Sequence, residues 1–341
     1  PLHSPPSFAT LLTGLYPQQH GVYNWRNTLS KDISRLLDIN GYNCGYTDSK
    51  DQDRLFQTLR VSNSTSVANL HTPFISIERN QQTHYPYNQT GMDASYFEND
   101  WGSIVQDYQN SIESTVSAFQ TRLDHLEDRG ILDETLVIFT SDHGELLGEH
   151  SETLHVAPAC PELAYVPTVF IHPELSESSF QVDTTSEIIE HVDIVRTALS
   201  MLDNVEMKTM GTNIIENTRS KQWGYNHANV RRKHISLYTS DSHWWHDGGI
   251  SILKNSLTGR MLYYLYKLTH SVSSPKIRDH PIKTLLNYVR GEYIYGDIPV
   301  SSETAEETLS DFVATLDKVE PEVIDLDDKT REHLREMGYL T

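Results

Sequence analysis

Two hydrophobic periods alternate along this chain. Ile104, Tyr108, Ile112, Thr115, Phe119, Leu123 and Leu126 recur at steps of four, four, three, four, four and three. That spacing lines one face of a long amphipathic helix. It ends at Arg129-Gly130, a basic last turn followed by a glycine suited to a left-handed cap. Between helical stretches lie short apolar runs of strand length: Pro73 to Glu78, Thr135 to Thr140 and Val166 to Ile171. The unbroken run at 135–140 predicts a strand covered on both faces. His191 to Leu202 returns to the helical period. At the start of the chain, Ser4 before Pro5-Pro6 predicts a capped helix running to Thr13 and ending at Gly14. The alternation implies an α/β fold with a mostly parallel central sheet flanked by helices.

From about 204 to 232 the pattern turns polar and irregular, and aromatic-rich segments follow, including Trp244, Trp245, Tyr263, Tyr264 and Tyr266. The expected division is a larger domain over 1–232 and a smaller α+β C-terminal subdomain over 233–341. No repeat is visible.

Charge narrows the partners. The 341 residues carry 27 basic and 47 acidic side chains, a formal charge of −20. Such a surface does not attract a nucleic-acid backbone, and it suits either a high-salt medium or an ordinary acidic protein. No apolar run reaches the roughly 18–20 residues of a membrane span. Two cysteines, Cys44 and Cys160, make neither a disulfide framework nor a four-thiolate zinc site. The chain opens at Pro1 with no leader pattern, so the expectation is a missing start; the compartment stays open, with the cytoplasm favoured.

Three segments could carry chemistry. Ser4 stands at a helix N-terminus, where free N–H groups and the dipole favour an anion; a plain structural cap is the competing reading. Ser141-Asp142-His143-Gly144-Glu145 directly follows the 135–140 strand. The carboxyl ends of strands in open α/β sheets are where ligands gather, so Asp142 could take a divalent cation through oxygen and His143 could join it. A strand-end turn capped by aspartate is the alternative. His84, in Thr83-His84-Tyr85-Pro86-Tyr87, follows the 73–78 run and could donate to an ester oxygen, or simply pack. His150 and His155 lie just beyond the Asp-His-Gly turn, in a chain with 17 histidines.

Taken in order, these segments resemble the sulfatase family of the alkaline-phosphatase-like superfamily. Ser4-x-Pro6-Ser7 with Leu12-Thr13-Gly14 is similar to its signature, and Gly41-Tyr42-Asn43-Cys44 to its Gly-Tyr-x-Thr stretch. Pro73-Phe74 through His84-Tyr85-Pro86-Tyr87 resembles its strand and His-x-Pro-Tyr loop. Val137 to Glu145 with Gly148-Glu149-His150 is the most specific match. His191-Val192-Asp193 and the ending Leu334 to Leu340 also fit. The resemblance implies a hydrolase of sulfuric esters, acting on a sulfated small molecule or glycan with one divalent cation, calcium first and magnesium or manganese next. It implies that Ser4 is the nucleophile, oxidised to formylglycine, whose hydrate attacks sulfur before expelling sulfate and regenerating the aldehyde. Ser4, Asp142 and His143 would hold the cation, His84 and His155 would serve catalysis, and Lys50 and His150 would contact the substrate.

Three departures qualify this. The family's paired aspartates fall before Pro1, so cation affinity and activity of this chain are expected to be low. Phe8 stands where the signature has arginine, which puts conversion of Ser4 in question. The lysine expected after the Gly-Tyr stretch comes one place late, at Lys50. A phosphoester hydrolase or phospho-group transferase using unmodified Ser4 is therefore the alternative. A non-catalytic module binding sulfated glycans through His243-Trp244-Trp245-His246 is the third reading.

Overall fold

The computed structural model describes residues 2–49, 53–87, 101–147, 153–155, 161–181, 187–219, 221, 223–229, 233–238, 243–248, 257–270, 281–290, 292–295, 302–326, 328 and 331. Its helices are α1 (Ser4–Thr13), α2 (Pro17–His20), α3 (Asp53–Leu59), α4 (Trp101–Asp128), α5 (Pro161–Ala164), α6 (His191–Ser200), α7 (Leu257–His270), α8 (Pro281–Arg290) and α9 (Ser302–Thr315). Its strands are β1 (Asn27–Thr28), β2 (Asn43–Asp48), β3 (Phe74–Arg79), β4 (Val137–Thr140), β5 (Leu146–Leu147), β6 (Thr153–Leu154), β7 (Thr168–Ile171), β8 (Gly224–Asn229), β9 (Lys233–Tyr238), β10 (His243–Gly248), β11 (Glu292–Tyr295) and β12 (Glu322–Val323). No helix among the described residues is long and apolar enough to cross a membrane.

Helix α1 is an interior helix. Ser4 through Thr10, Leu12 and Thr13 are all buried. Phe8, Ala9 and Leu12 pack with Val22, Trp25, Leu29, Tyr46, Leu55, Phe56 and Leu59 in one cluster. Each large apolar side chain buried this way contributes about 1.5–3 kcal/mol. Pro5 and Pro6 occupy the first turn, where a missing N–H costs nothing. The cap differs from expectation: His3, extended at φ −162°, precedes the helix and Ser4 is its first residue. The Ser4 hydroxyl accepts from an arginine instead of capping the backbone. At the other end Gly14 adopts φ +65° and donates its N–H to Thr10 O at 2.8 Å. A Cβ there would lie 2.6 Å from Thr209 Cγ2, so both backbone and space demand glycine.

Strands β2 and β3 run parallel, with Asn43 opposite Phe74 and Asp48 opposite Arg79. The chain crosses between them through α3, as a parallel pair requires. The expectation of a mostly parallel sheet needs correction. Strand β7 returns antiparallel to β4, Val137 facing Ile171 and Thr140 facing Thr168; among the described residues between them the helix is α5, of four residues. Strand β4 is also only half-buried along its length rather than covered on both faces. Beyond α6, strands β8 to β11 make a four-stranded antiparallel sheet in the order β11-β10-β9-β8. The β8–β9 pairing joins 224–229 to 233–238.

Helix α6 is fixed by a closed cluster of charges. Glu190 accepts from Tyr16 Oη at 2.9 Å, Arg219 Nη2 at 2.9 Å, Lys221 Nζ at 2.5 Å and the Tyr225 amide at 3.0 Å. Asp193 accepts from the Glu190 and Thr212 amides, both at 2.8 Å, and from Arg219 Nε at 3.1 Å. Burial pushes the Glu190 carboxyl up, but Lys221 and Arg219 hold it below its ordinary range. Lys221 also lies 4.4 Å from the Phe312 ring and 4.6 Å from that of Trp223. Around this cluster Tyr16, Val192, Tyr225, Leu237, Ala305 and Leu309 form a second core.

Candidate active site

The site gathers at the carboxyl ends of β2, β3 and β4, against the first turn of α1. From β2 comes Asp48 and from β3 Arg79, adjacent in the parallel register. Arg79 Nη1 donates to Asp48 Oδ2 at 3.1 Å, and Gln81 Nε2 donates to Asp48 Oδ1. Arg79 Nη2 reaches Ser4 Oγ at 3.1 Å. The guanidinium also lies over the Phe8 ring, 5.4 Å from its centre.

The turn after β4 brings Asp142 and His143. Gly144 makes this turn by lying against the backbone of α5: its N–H donates to Leu163 O at 3.0 Å, and a Cβ would stand 1.9 Å from Glu162 O. His143 Nδ1 donates to Gly144 O at 2.8 Å, because a carbonyl can only accept. Its Nε2 then sits 3.5 Å from Ser4 Oγ and 3.4 Å from Asp142 Oδ2. Burial lowers the pKa of His143 below the ordinary imidazole value despite Asp142. Burial would raise Asp142, but His143, Arg79 and a hydrogen bond from Ser4 hold its carboxyl far below the usual range.

Two more histidines complete the face. His155 Nδ1 donates to Glu145 Oε2 at 3.0 Å, while Tyr87 Oη donates to Glu145 Oε1 at 3.3 Å. His84 Nδ1 donates to Tyr85 O at 2.7 Å. The His155 ring is 4.3 Å from that of His143 and 5.6 Å from that of His84. Tyr85, Tyr87 and Ile104 pack as a small core behind this loop. His3 is fully buried with neither ring nitrogen hydrogen-bonded. Burial first, then His143 and His155, push its pKa well down. His191 Nε2 donates to Ser141 O at 3.0 Å, and burial lowers its pKa to about 4.

Of the residues singled out in the sequence, Ser4 and Asp142 meet His143, and the His143, His155 and His84 rings form one row. Lys50 and His150 lie outside the described residues. Arg79, Asp48 and His3 were not singled out in the sequence, and Glu145 and His191 stood in its motifs without an assigned role. A usable signal existed for one pair: Asp48 and Arg79 are opposite charges that close neighbouring strand segments.

Two donor sets bear on a cation. Ser4, Asp142 and His143 offer a hydroxyl, one carboxylate and an imidazole, short of the six to eight oxygens calcium takes. A guanidinium already stands on the hydroxyl. These residues do not by themselves complete a hard-cation shell. His143, Glu145 and His155 have donor atoms within 4.8 Å of one another and could hold a metal ion of the zinc class.

Known proteins resemble this chain in sequence and in fold. A family model for sulfatases matches residues 38–205, the stretch that holds β2, β3, His84, Asp142, His143 and His155. Residues 38–205 thus match the sulfatase family. The low-salt glycan biosynthesis sulfotransferase Agl7 of Haloferax volcanii is 28% identical over 363 aligned residues, covering 98% of this chain and 87% of that protein. Mouse iduronate 2-sulfatase is 36% identical over 80 residues, 20% of this chain and 14% of that protein. Among solved structures, a 2-O GAG sulfatase superposes with a TM-score of 0.52 at 11% identity, covering 86% of this chain and 84% of its own. That likeness supports the alkaline-phosphatase-like fold. The family match starts at residue 38, so Ser4 joins the matched residues through its contacts rather than as part of the matched segment.

Proposed function

We propose that this protein cleaves a sulfate ester with the unmodified Ser4 hydroxyl as nucleophile at sulfur. The observation that carries the reading is the setting of Ser4 Oγ, which has Arg79 Nη2 at 3.1 Å and His143 Nε2 at 3.5 Å. With Nδ1–H committed to Gly144, neutral His143 keeps a lone pair on Nε2 for the serine proton. The imidazolium that forms is met by Asp142. As the Ser4 Oγ–S bond forms, the ester S–O bond breaks, and the leaving oxygen takes a proton from the imidazolium form of His155, which Glu145 orients. Water then attacks sulfur in the Ser4 sulfate ester. His143 returns its proton to Ser4, His155 takes one from the water, and sulfate departs. His84 lies in the same row of rings and would contact the sulfuryl oxygens. The cation of the family resemblance, calcium first, would fall to Ser4, Asp142 and His143; one carboxylate gives it weak purchase, and no step above runs through it.

A second reading has its own support. A formylglycine hydrate releases sulfate by breaking a carbon–oxygen bond, which leaves nothing to pass on. A serine sulfate ester opened by attack at sulfur passes its sulfuryl group to the attacking oxygen, so a sugar hydroxyl can take the place of water. Phe8 at the signature's arginine position favours serine, and the full-length relative is named for sulfo transfer in glycan synthesis. Incubating the protein with an aryl sulfate, an aryl phosphate and a free sugar separates these. Release of inorganic sulfate supports hydrolysis, a sulfated sugar supports transfer, and turnover of the phosphate alone contradicts both.

A further inference from the structure

The signature arginine is missing from helix α1, where Phe8 occupies its place. Yet a guanidinium is present at Ser4, delivered from the end of β3 and resting on the Phe8 ring itself. Arg79 is buried at 5% exposure, and Asp48, whose side chain is wholly buried, fixes its other terminal nitrogen at 3.1 Å. Burying such an ion pair is costly unless geometry and further hydrogen bonds offset the desolvation; Gln81 on Asp48 supplies one of them. The pair aims a cation at the reacting oxygen.

We propose that Arg79 is the catalytic cation of this site, holding Ser4 Oγ and one oxygen of the sulfuryl group as it moves from the ester to serine. The assignment rests on the sulfate-ester reading above and deepens it. Nη2 carries two N–H groups, so a contact to Ser4 leaves the second for an anion oxygen. Charge on the sulfuryl oxygens then meets a preorganised donor that needs no rearrangement. Asp48 is the positioning residue: it acts only through Arg79. His3, buried without a hydrogen-bond partner beside Ser4, is a second polar group for which an oxyanion supplies the acceptor.

The test is titration of the full-length protein with inorganic sulfate by calorimetry, with unfolding followed in parallel. Arg79→Met is expected to weaken sulfate binding about tenfold or more, the loss of one charge-assisted hydrogen bond. Millimolar guanidinium should restore part of it, which a purely structural arginine would not allow. If Arg79→Met does not fold, Arg79→Lys is read instead. An ammonium cannot hold Asp48 and Ser4 together, so affinity should again fall about tenfold. Sulfate binding within twofold of wild type in either folded variant overturns the proposal, as does a wild type that binds no sulfate at millimolar concentration. Turnover separates the two levels of the argument. A wild type that hydrolyses aryl sulfates while Arg79→Lys keeps the same kcat sinks the arginine assignment alone. A wild type that binds sulfate through Arg79 but turns over no ester sinks the sulfate-ester reading alone.

Discussion

Two buried clusters of charge sit in this molecule, and they are built differently. At Glu190 and Asp193 two carboxylates face Arg219 and Lys221, and backbone amides and Tyr16 take further oxygens. Around Ser4 the groups are arranged about a hydroxyl instead of pairing off with one another. Arg79 and His143 approach the Ser4 hydroxyl, the His155 and His84 rings continue the row from His143, Asp48 and Asp142 flank these groups, and His3 is buried with no hydrogen-bond partner among the described residues. A closed cluster joins elements and is complete in itself. An open one keeps donors to spare: the second N–H of Arg79 Nη2 and the unpartnered His3 ring are groups an oxyanion from outside can meet. Unmet hydrogen-bonding capacity thus separates scaffold from site more sharply than charge content does.

The two clusters should differ most when the serine is removed. Ser4→Ala should lower turnover of an aryl sulfate by about 10⁴-fold or more, as for other nucleophiles that act within a unit, and leave thermal unfolding unchanged. Turnover within tenfold of wild type would place the reaction elsewhere. Next, Arg219→Met opens the closed cluster and leaves Glu190 and Asp193 short of a cation. Urea unfolding should show a loss of about 3–5 kcal/mol, while sulfate affinity of the folded protein stays as it was. Gly144→Ala should cost roughly 1–3 kcal/mol through the clash with Glu162 O, and it should reduce turnover by displacing His143. The smallest effect has the opposite sign. His3→Leu removes a buried imidazole with no partner and should raise stability by about 1 kcal/mol while weakening sulfate binding.

pH probes the same contrast. His20 and His191 are neutral in the fold, with burial lowering them to about 3 and about 4 from an ordinary value of 6.5. His20 Nδ1 accepts the Val22 amide at 3.1 Å, a bond that protonation would break. Between these values and 6.5 the unfolded chain binds more protons, so stability is full above about pH 6.5 and falls as pH drops through 4 and then 3. Unfolding midpoints that rise between pH 6 and 4 would contradict this placement.

Much of this was legible in the sequence because it is local. The span and ending of α1 follow from prolines and Gly14, and α4 follows from its periodicity. Asp142, His143 and Glu145 share one turn, so a short motif was enough to flag it. What escaped depends on pairing. Arg79 meets Asp48 31 residues away because β2 and β3 are parallel and in register, and periodicity says nothing of register. The antiparallel return of β7 escaped for the same reason. The cap shifted by one residue because the Ser4 hydroxyl has a tertiary partner, a contact no local rule contains.

The central claim is chemical: Ser4 stays a serine and takes the sulfuryl group. Mass spectrometry of the Ser4 peptide, before and shortly after mixing the protein with an aryl sulfate, tests it directly. The expected result is an intact serine that gains one sulfuryl group on that residue. An aldehyde or its hydrate at position 4, or a sulfuryl group found on another side chain, would contradict it.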